Sequence, residues 1–174
     1  MEKIAVFDLD GTLYEENSHI EILSKFYKTN IYKSLILKIF YKIFPKYTLK
    51  ILKKQYDLIP SNFKKNFILP FRESALKLLE KKRREGYKII IISNAPFHLV
   101  ENAAKKLNVD FEIANIGEKD KVLKKYFYKK LMVCSDNTTD INILKLADEK
   151  YIYIKNKRAE KKFKDIEKAF FLEE

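Results

Sequence analysis

Apolar side chains fall along this chain in two rhythms. Four short runs are nearly unbroken: Ile4-Ala5-Val6-Phe7, Tyr87-Lys88-Ile89-Ile90-Ile91-Ile92, Leu131-Met132-Val133-Cys134 and Tyr151-Ile152-Tyr153-Ile154. Runs of this length and composition predict strands covered on both faces, as in a parallel sheet. Elsewhere apolar positions recur at helical spacing, and helices are predicted over about 72–85, 97–107, 119–129 and 139–147, the first with a basic last turn and Gly86 as its stop. A short strand is predicted within 109–115, and a basic amphipathic helix over about 157–171 ends the chain. Strand and helix alternate, which predicts an α/β fold, a three-layer Rossmann-like parallel sheet core.

Between positions 14 and 70 the rhythm is helical only, with interleaved Lys and many aromatics. Helices near 19–28, 31–44, 46–59 and 61–69 are predicted, broken at Thr29-Asn30, Phe44-Pro45 and Ile59-Pro60-Ser61-Asn62. The expected organisation is a core of residues 1–13 and 71–174 with a small α-helical cap, 14–70, inserted after the first strand. The segment 31–44 is the most apolar of the four. It is too short to span a bilayer and is interrupted by Lys33, Lys38 and Lys42. Of the two remaining readings, an interfacial membrane helix and a lid packed on the core, the apolar stripe favours packing, so no membrane contact is expected.

Composition narrows the picture. The 174 residues suffice for one α/β domain and a small inserted module; with 47% hydrophobic and 34% charged residues the chain should fold. The net charge of +12 invites a nucleic-acid reading, but the excess is spread over helix faces and no nucleic-acid module signature accompanies it, so attraction of small anionic, phosphorylated molecules is the expectation. Cys134 is the one cysteine, which excludes an internal disulfide and suits a reducing compartment. Met1-Glu2-Lys3 leads straight into the first strand and leaves no room for a signal peptide, so a cytoplasmic protein is expected.

The chemistry gathers where the apolar runs stop. The first ends at Asp8-Leu9-Asp10-Gly11-Thr12, the second at Ser93-Asn94 and the third at Ser135-Asp136, with Asp140 close behind and Lys119 and Lys121 ahead. In parallel α/β sheets ligands bind beyond the carboxyl ends of strands. Asp8 and Asp10 share strand parity, so both can face one crevice, and like charges that close call for a cation between them. Asp-x-Asp-Gly alone is also an ordinary turn sequence. The ordered set is what phosphoryl transfer through an aspartate requires: Asp8 to attack phosphorus, Asp10 to protonate the leaving alcohol, Ser93 and neighbouring N–H groups to hold phosphoryl oxygens, a lysine to offset charge, and Asp136 and Asp140 as hard oxygen ligands suited to Mg²⁺.

These residues resemble the haloacid dehalogenase-like (HAD) hydrolases, and within them the phosphoserine-phosphatase-like branch with its small helical C1 cap. Asp8-Leu9-Asp10-Gly11-Thr12 is similar to that family's first motif, Ser93 to the second, Lys119 to the third, and Asp136 with Asp140 to the fourth. The resemblance implies Asp8 as nucleophile and metal ligand, Asp10 as acid/base and as a ligand through its backbone oxygen, and Asp136 as a direct ligand. Three positions depart from the pattern. Ser135 stands where glycine is common, Lys121 competes with Lys119, and Asn17 occupies the place of a substrate-binding glutamate, with Glu15 and Glu16 beside it.

The resulting expectation is a Mg²⁺-dependent phosphomonoester hydrolase acting on a small phosphorylated metabolite, an amino-alcohol, polyol or sugar phosphate, through an aspartyl phosphate on Asp8. Its catalytic residues are Asp8, Asp10 and Lys119; its substrate-binding residues are Ser93, Asn94, Lys119, Glu15, Glu16 and Asn17; its metal ligands are Asp8, Asp10, Asp136 and Asp140. The alternatives are a phosphotransferase using the same intermediate, and a basic membrane or nucleic-acid binding module with a vestigial site. His19 and His98 have no ligand-type partner at metal spacing and read as helix-surface or cap residues.

Overall fold

The computed structural model describes residues 1–154 and 156–173. Six parallel strands form one sheet: β1 (Glu2–Phe7), β2 (Tyr87–Ser93), β3 (Asp110–Ile113), β4 (Tyr128–Ser135), β5 (Glu149–Ile154) and β6 (Ala169–Glu173), in the order β3-β2-β1-β4-β5-β6. The most apolar strands, β1, β2 and β4, sit side by side at the centre. Because successive strand side chains alternate faces, Ala5, Phe7, Ile89, Ile91, Met132 and Cys134 join one hydrophobic cluster, while Ile4, Val6, Ile90, Ile92, Leu131 and Val133 join a second on the other face. Helices cover both faces, giving the expected three layers.

Four helices, α1 (Ser18–Phe26), α2 (Leu35–Ile43), α3 (Pro45–Asp57) and α4 (Ser61–Asn66), stand between β1 and α5 (Glu73–Arg84). The insertion shares the first cluster, to which it contributes Ile22, Leu23, Leu52, Tyr56 and Ile59. No helix is long and apolar enough to cross a membrane among the described residues.

Three sequence expectations need correction. The segment 31–44 is not one packed helix: Ile31–Lys33 is a 3₁₀ turn, Ser34 caps α2 by accepting from the Leu37 N–H at 3.3 Å, and no residue of α2 is buried. The inner face of α3, with Thr48, Leu52 and Tyr56, is what turns inward, so the apolar stripe of α2 is left outside. The helix expected over 119–129 ends early, as α7 (Lys119–Leu123), because Tyr128 and Lys130 already pair with β1. The helix expected over 157–171 is only α9 (Lys157–Glu160) and a 3₁₀ turn (Lys161–Phe163), followed by β6. Lys168, in the left-handed region at φ 54°, breaks the helical path, and β5 offers open backbone groups that Ala169–Glu173 satisfy, with Phe170 stacked on Tyr151 at 5.2 Å. A short apolar run does not declare its period, and this one suits a strand as well as a helix. The remaining helices, α6 (Phe97–Leu107) and α8 (Ile141–Leu146), fall where expected, the latter after a 3₁₀ turn over Thr138–Asp140.

Candidate active site

Strand register assembles the site. Phe7 pairs with Ile91 on one side and Cys134 on the other, and the Asp8 N–H continues the ladder to the Cys134 carbonyl at 3.0 Å. Asp8, Ser93 and Asp136 therefore leave the sheet within one residue step of each other at its carboxyl edge. They line one cavity of about 340 Å³ together with Asp10, Gly11, Glu15, Asn17, His19 and Asn94.

Lys119, at the start of α7, is 3% exposed and lies 2.7 Å from both Asp8 Oδ1 and Asp140 Oδ2. Burial alone would lower its proton affinity, but these two carboxylates outweigh it and hold the ammonium charged. Lys121 is an exposed partner of Glu118, so the geometry separates the two lysines left open by sequence. Asp8 Oδ1 also accepts from the Leu9 N–H at 2.8 Å. Asp10 Oδ1 accepts from the Ser18 N–H at 2.8 Å; burial, opposed by that hydrogen bond, lifts its carboxyl to about 7. Asp136 is likewise lifted to about 7 by burial and the nearby Asp8 charge.

Asp10 and Asp140, like Asp8, each have a side-chain oxygen engaged within the protein. Asp140 Oδ2 is taken by Lys119 and by the Ser135 hydroxyl at 2.5 Å, and the Asp10 carboxylate by Ser18. Among the described residues no three His, Cys, Asp or Glu side chains stand together to hold a metal ion. Asp8 and Asp136 line the cavity wall together with Asp10 and Gly11. A Cβ on Gly11 would lie 2.8 Å from Asp136 Oδ1 and closer still to Cγ and Oδ2, so the Asp136 carboxylate rests directly on the motif backbone. Asp8, buried, and Asp136, half-buried, both with proton affinity raised by burial beside a main-chain turn, fit a hard divalent cation.

The other expected residues divide. Ser93 is buried, and its Oγ accepts from the Ala95 N–H at 3.3 Å, leaving its own proton to donate. The Asn94 side chain is tied to the Ala114 carbonyl at 2.9 Å. Asn17 caps α1, its Oδ1 accepting from the Ile20 N–H at 3.0 Å, so only its amide N–H groups are left. Glu15 borders the cavity that Asp8 lines, whereas Glu16 does not; it lines a neighbouring cavity of about 520 Å³, which Glu15, Asn17, His19, Leu37 and Leu49 also line.

Sequence reasoning missed two residues. His19 is in the wall of both cavities, and its Nε2 is buried without a hydrogen-bond partner among the described residues. Arg72, 5% exposed, donates to the Thr12 and Gly11 carbonyls at 3.2 Å and lies over the Tyr153 ring at 4.4 Å, holding the turn that carries Asp10 and Gly11. Arg72 had no local signal, since it acts on residues distant in sequence.

The sequence profile of the family described as haloacid dehalogenase-like hydrolase matches residues 5–139. No curated protein matches the chain. Solved structures share its fold: a phosphoserine phosphatase in apo form (17% identity, TM-score 0.67, 93% of this chain and 91% of that one), and a phosphoserine phosphatase from T. onnurineus (19%, 0.61, 99% and 89%). A protein of unknown function from Bordetella pertussis Tohama I is similar as well (11%, 0.72, 95% and 96%).

Proposed function

The chain belongs to the haloacid dehalogenase-like hydrolase family, and from that premise we propose that it is a phosphatase, a Mg²⁺-dependent phosphomonoester hydrolase of small metabolites. The observation that carries this reading is the pairing of Asp8, one oxygen fixed by Lys119 and the Leu9 N–H, with a half-buried Asp10 two residues on whose carboxyl is lifted to about 7.

In this mechanism the free oxygen of Asp8 attacks phosphorus as the bond from phosphorus to the substrate's alcohol oxygen breaks, and Asp10 gives its proton to the departing alkoxide. Asp10, now ionised, takes a proton from water; the resulting hydroxide attacks the aspartyl phosphate, releasing inorganic phosphate and restoring the Asp8 carboxylate. Ser93 and the N–H groups after it donate to phosphoryl oxygens, and Lys119 aligns Asp8 and favours its ionised form against the opposing effect of burial. Asp140 and Ser135 position Lys119. Asp8, Asp136 and the Asp10 carbonyl would hold Mg²⁺, which when bound supplies positive charge to the phosphoryl group.

Residues 14–70 act as a cap over a core of 1–13 and 71–174, and the leaving group lies between them. Its surroundings, Glu15, the Asn17 amide N–H groups and the His19 Nε2, suit a small amino-alcohol, polyol or sugar phosphate. A buried free Cys134, whose thiol burial pushes upward, is consistent with a cytoplasmic setting. The test is Asp8→Asn assayed on an aryl phosphate and a panel of metabolite phosphates. Turnover should fall by at least about 1,000-fold with the fold intact, because an amide cannot form the acyl phosphate. Near wild-type turnover would overturn the mechanism.

A further inference from the structure

The outer side of α2 presents an apolar surface that no described part of the chain covers. Leu35 and Ile36 are 71% and 72% exposed, and Ile39, Phe40 and Ile43 between 48% and 60%. At about 100° per residue these five span an arc of about 140°, a continuous stripe rather than scattered residues. Tyr47, near the start of α3, is 61% exposed as well. Opposite the stripe, Leu37 and Tyr41 line the cavity next to the catalytic one, so the helix is used on both sides.

Charge identifies what meets this face. From position 22 to position 56 the chain has nine lysines and no aspartate or glutamate. Among the described residues only Lys33 of the nine forms an ion pair, with Glu21. A soluble surface would break up such a stripe, and an internal docking face would already be filled by the inward side of α3. Two copies meeting across a twofold axis would set lysine against lysine, with no carboxylate in the stretch to answer them. Nucleic acid would satisfy the lysines but not an Ile, Leu and Phe stripe. An anionic phospholipid surface satisfies both, taking the apolar side chains into the headgroup boundary and the lysines to its phosphates.

We propose that α2, with the adjoining start of α3, is an interfacial anchor that docks this protein on anionic membrane surfaces. The sequence expectation that the stripe packs inward gives way to this reading. The anchor does not depend on the chemistry proposed above, and its test does not use the catalytic residues.

The full chain is mixed with vesicles of phosphatidylcholine containing about one-third phosphatidylserine, or of phosphatidylcholine alone, and the bound fraction is read by flotation. Binding to the anionic vesicles should be at least about tenfold tighter and should weaken as salt rises from about 0.1 to 0.5 M. The pair Ile36→Glu with Phe40→Glu should lower it at least about tenfold, and Lys42→Glu should lower it several-fold, with thermal midpoint and aryl phosphate turnover in solution unchanged. If the glutamate pair perturbs the helix, Ile36→Ser with Phe40→Ser removes the same surface without new charge. Failure to bind anionic vesicles, equal binding to both vesicle types, or binding indifferent to these changes would overturn the proposal. So would a concentration-dependent dimer, seen by sedimentation velocity and abolished by the same pair, since the face would then belong to a second copy.

Discussion

Gly11→Ala separates two costs that usually arrive together. Gly11 and Gly86 share a φ of 79°, in the left-handed region, so an alanine at either position carries the same backbone strain of about 1–2 kcal/mol. Their surroundings differ. A Cβ at Gly86 meets nothing within 4 Å, whereas at Gly11 it would lie 2.8 Å from Asp136 Oδ1 and nearer to Cγ and Oδ2. Ordinary carbon–oxygen contacts begin near about 3.3 Å, so the Asp136 carboxylate must swing away from the cavity. A displacement of order 1 Å in a positioning group costs about 100-fold in rate. Urea unfolding should therefore show similar losses for Gly11→Ala and Gly86→Ala, worth about 2–4 °C of Tm per kcal/mol at this chain length. On an aryl phosphate at saturating Mg²⁺, kcat/KM should fall about 100-fold for Gly11→Ala and stay within about twofold of wild type for Gly86→Ala. Equal activities of the two variants would refute the reasoning, because Asp136 would then not need its place against the turn.

Chelation should remove activity and Mg²⁺ restore it, with Asp136→Ala needing at least about tenfold more metal; an undiminished rate in excess chelator would contradict the ligand assignment. Stability should also respond to acid through Glu149. Burial pushes its carboxyl up, but hydrogen bonds from Lys130, Lys82 and Tyr87 outweigh this and hold it at about 2 against an ordinary 4.5. A depressed carboxyl stabilises above its unfolded value and loses that contribution as pH falls through its folded one, so the loss should run from about 4.5 down to about 2. After allowance for screening at the sheet's rim it amounts to about 1–2 kcal/mol, and Glu149→Gln should show the same deficit at neutral pH with a flattened acid limb in urea titrations. In the cap, Glu15→Gln should raise KM for amino-alcohol phosphates about tenfold and spare polyol phosphates, while Glu16→Gln changes neither; uniform losses would mean that Glu15 supports the cap and does not read the substrate.

The apolar runs, alternating with helical spacing, by themselves determined the central sheet, because a strand buried on both faces needs consecutive apolar side chains, and each run's abrupt polar end pointed to the candidate site. Asp8, Asp10, Ser93 and Asp136 were legible for that reason: they follow strands whose register is set by the same runs. The tertiary structure decided what local pattern leaves open. It buried Lys119 between Asp8 and Asp140 while leaving Lys121 on the surface with Glu118, so that Asp140 is a partner of the buried lysine. It made 169–173 a strand, because an open edge at β5 outweighs the helical spacing of a short apolar run. It also left α2 outside. Hydrophobic periodicity states that a face seeks an apolar surface, but whether the chain itself supplies that surface depends on which neighbour reaches the core first, and α3 does.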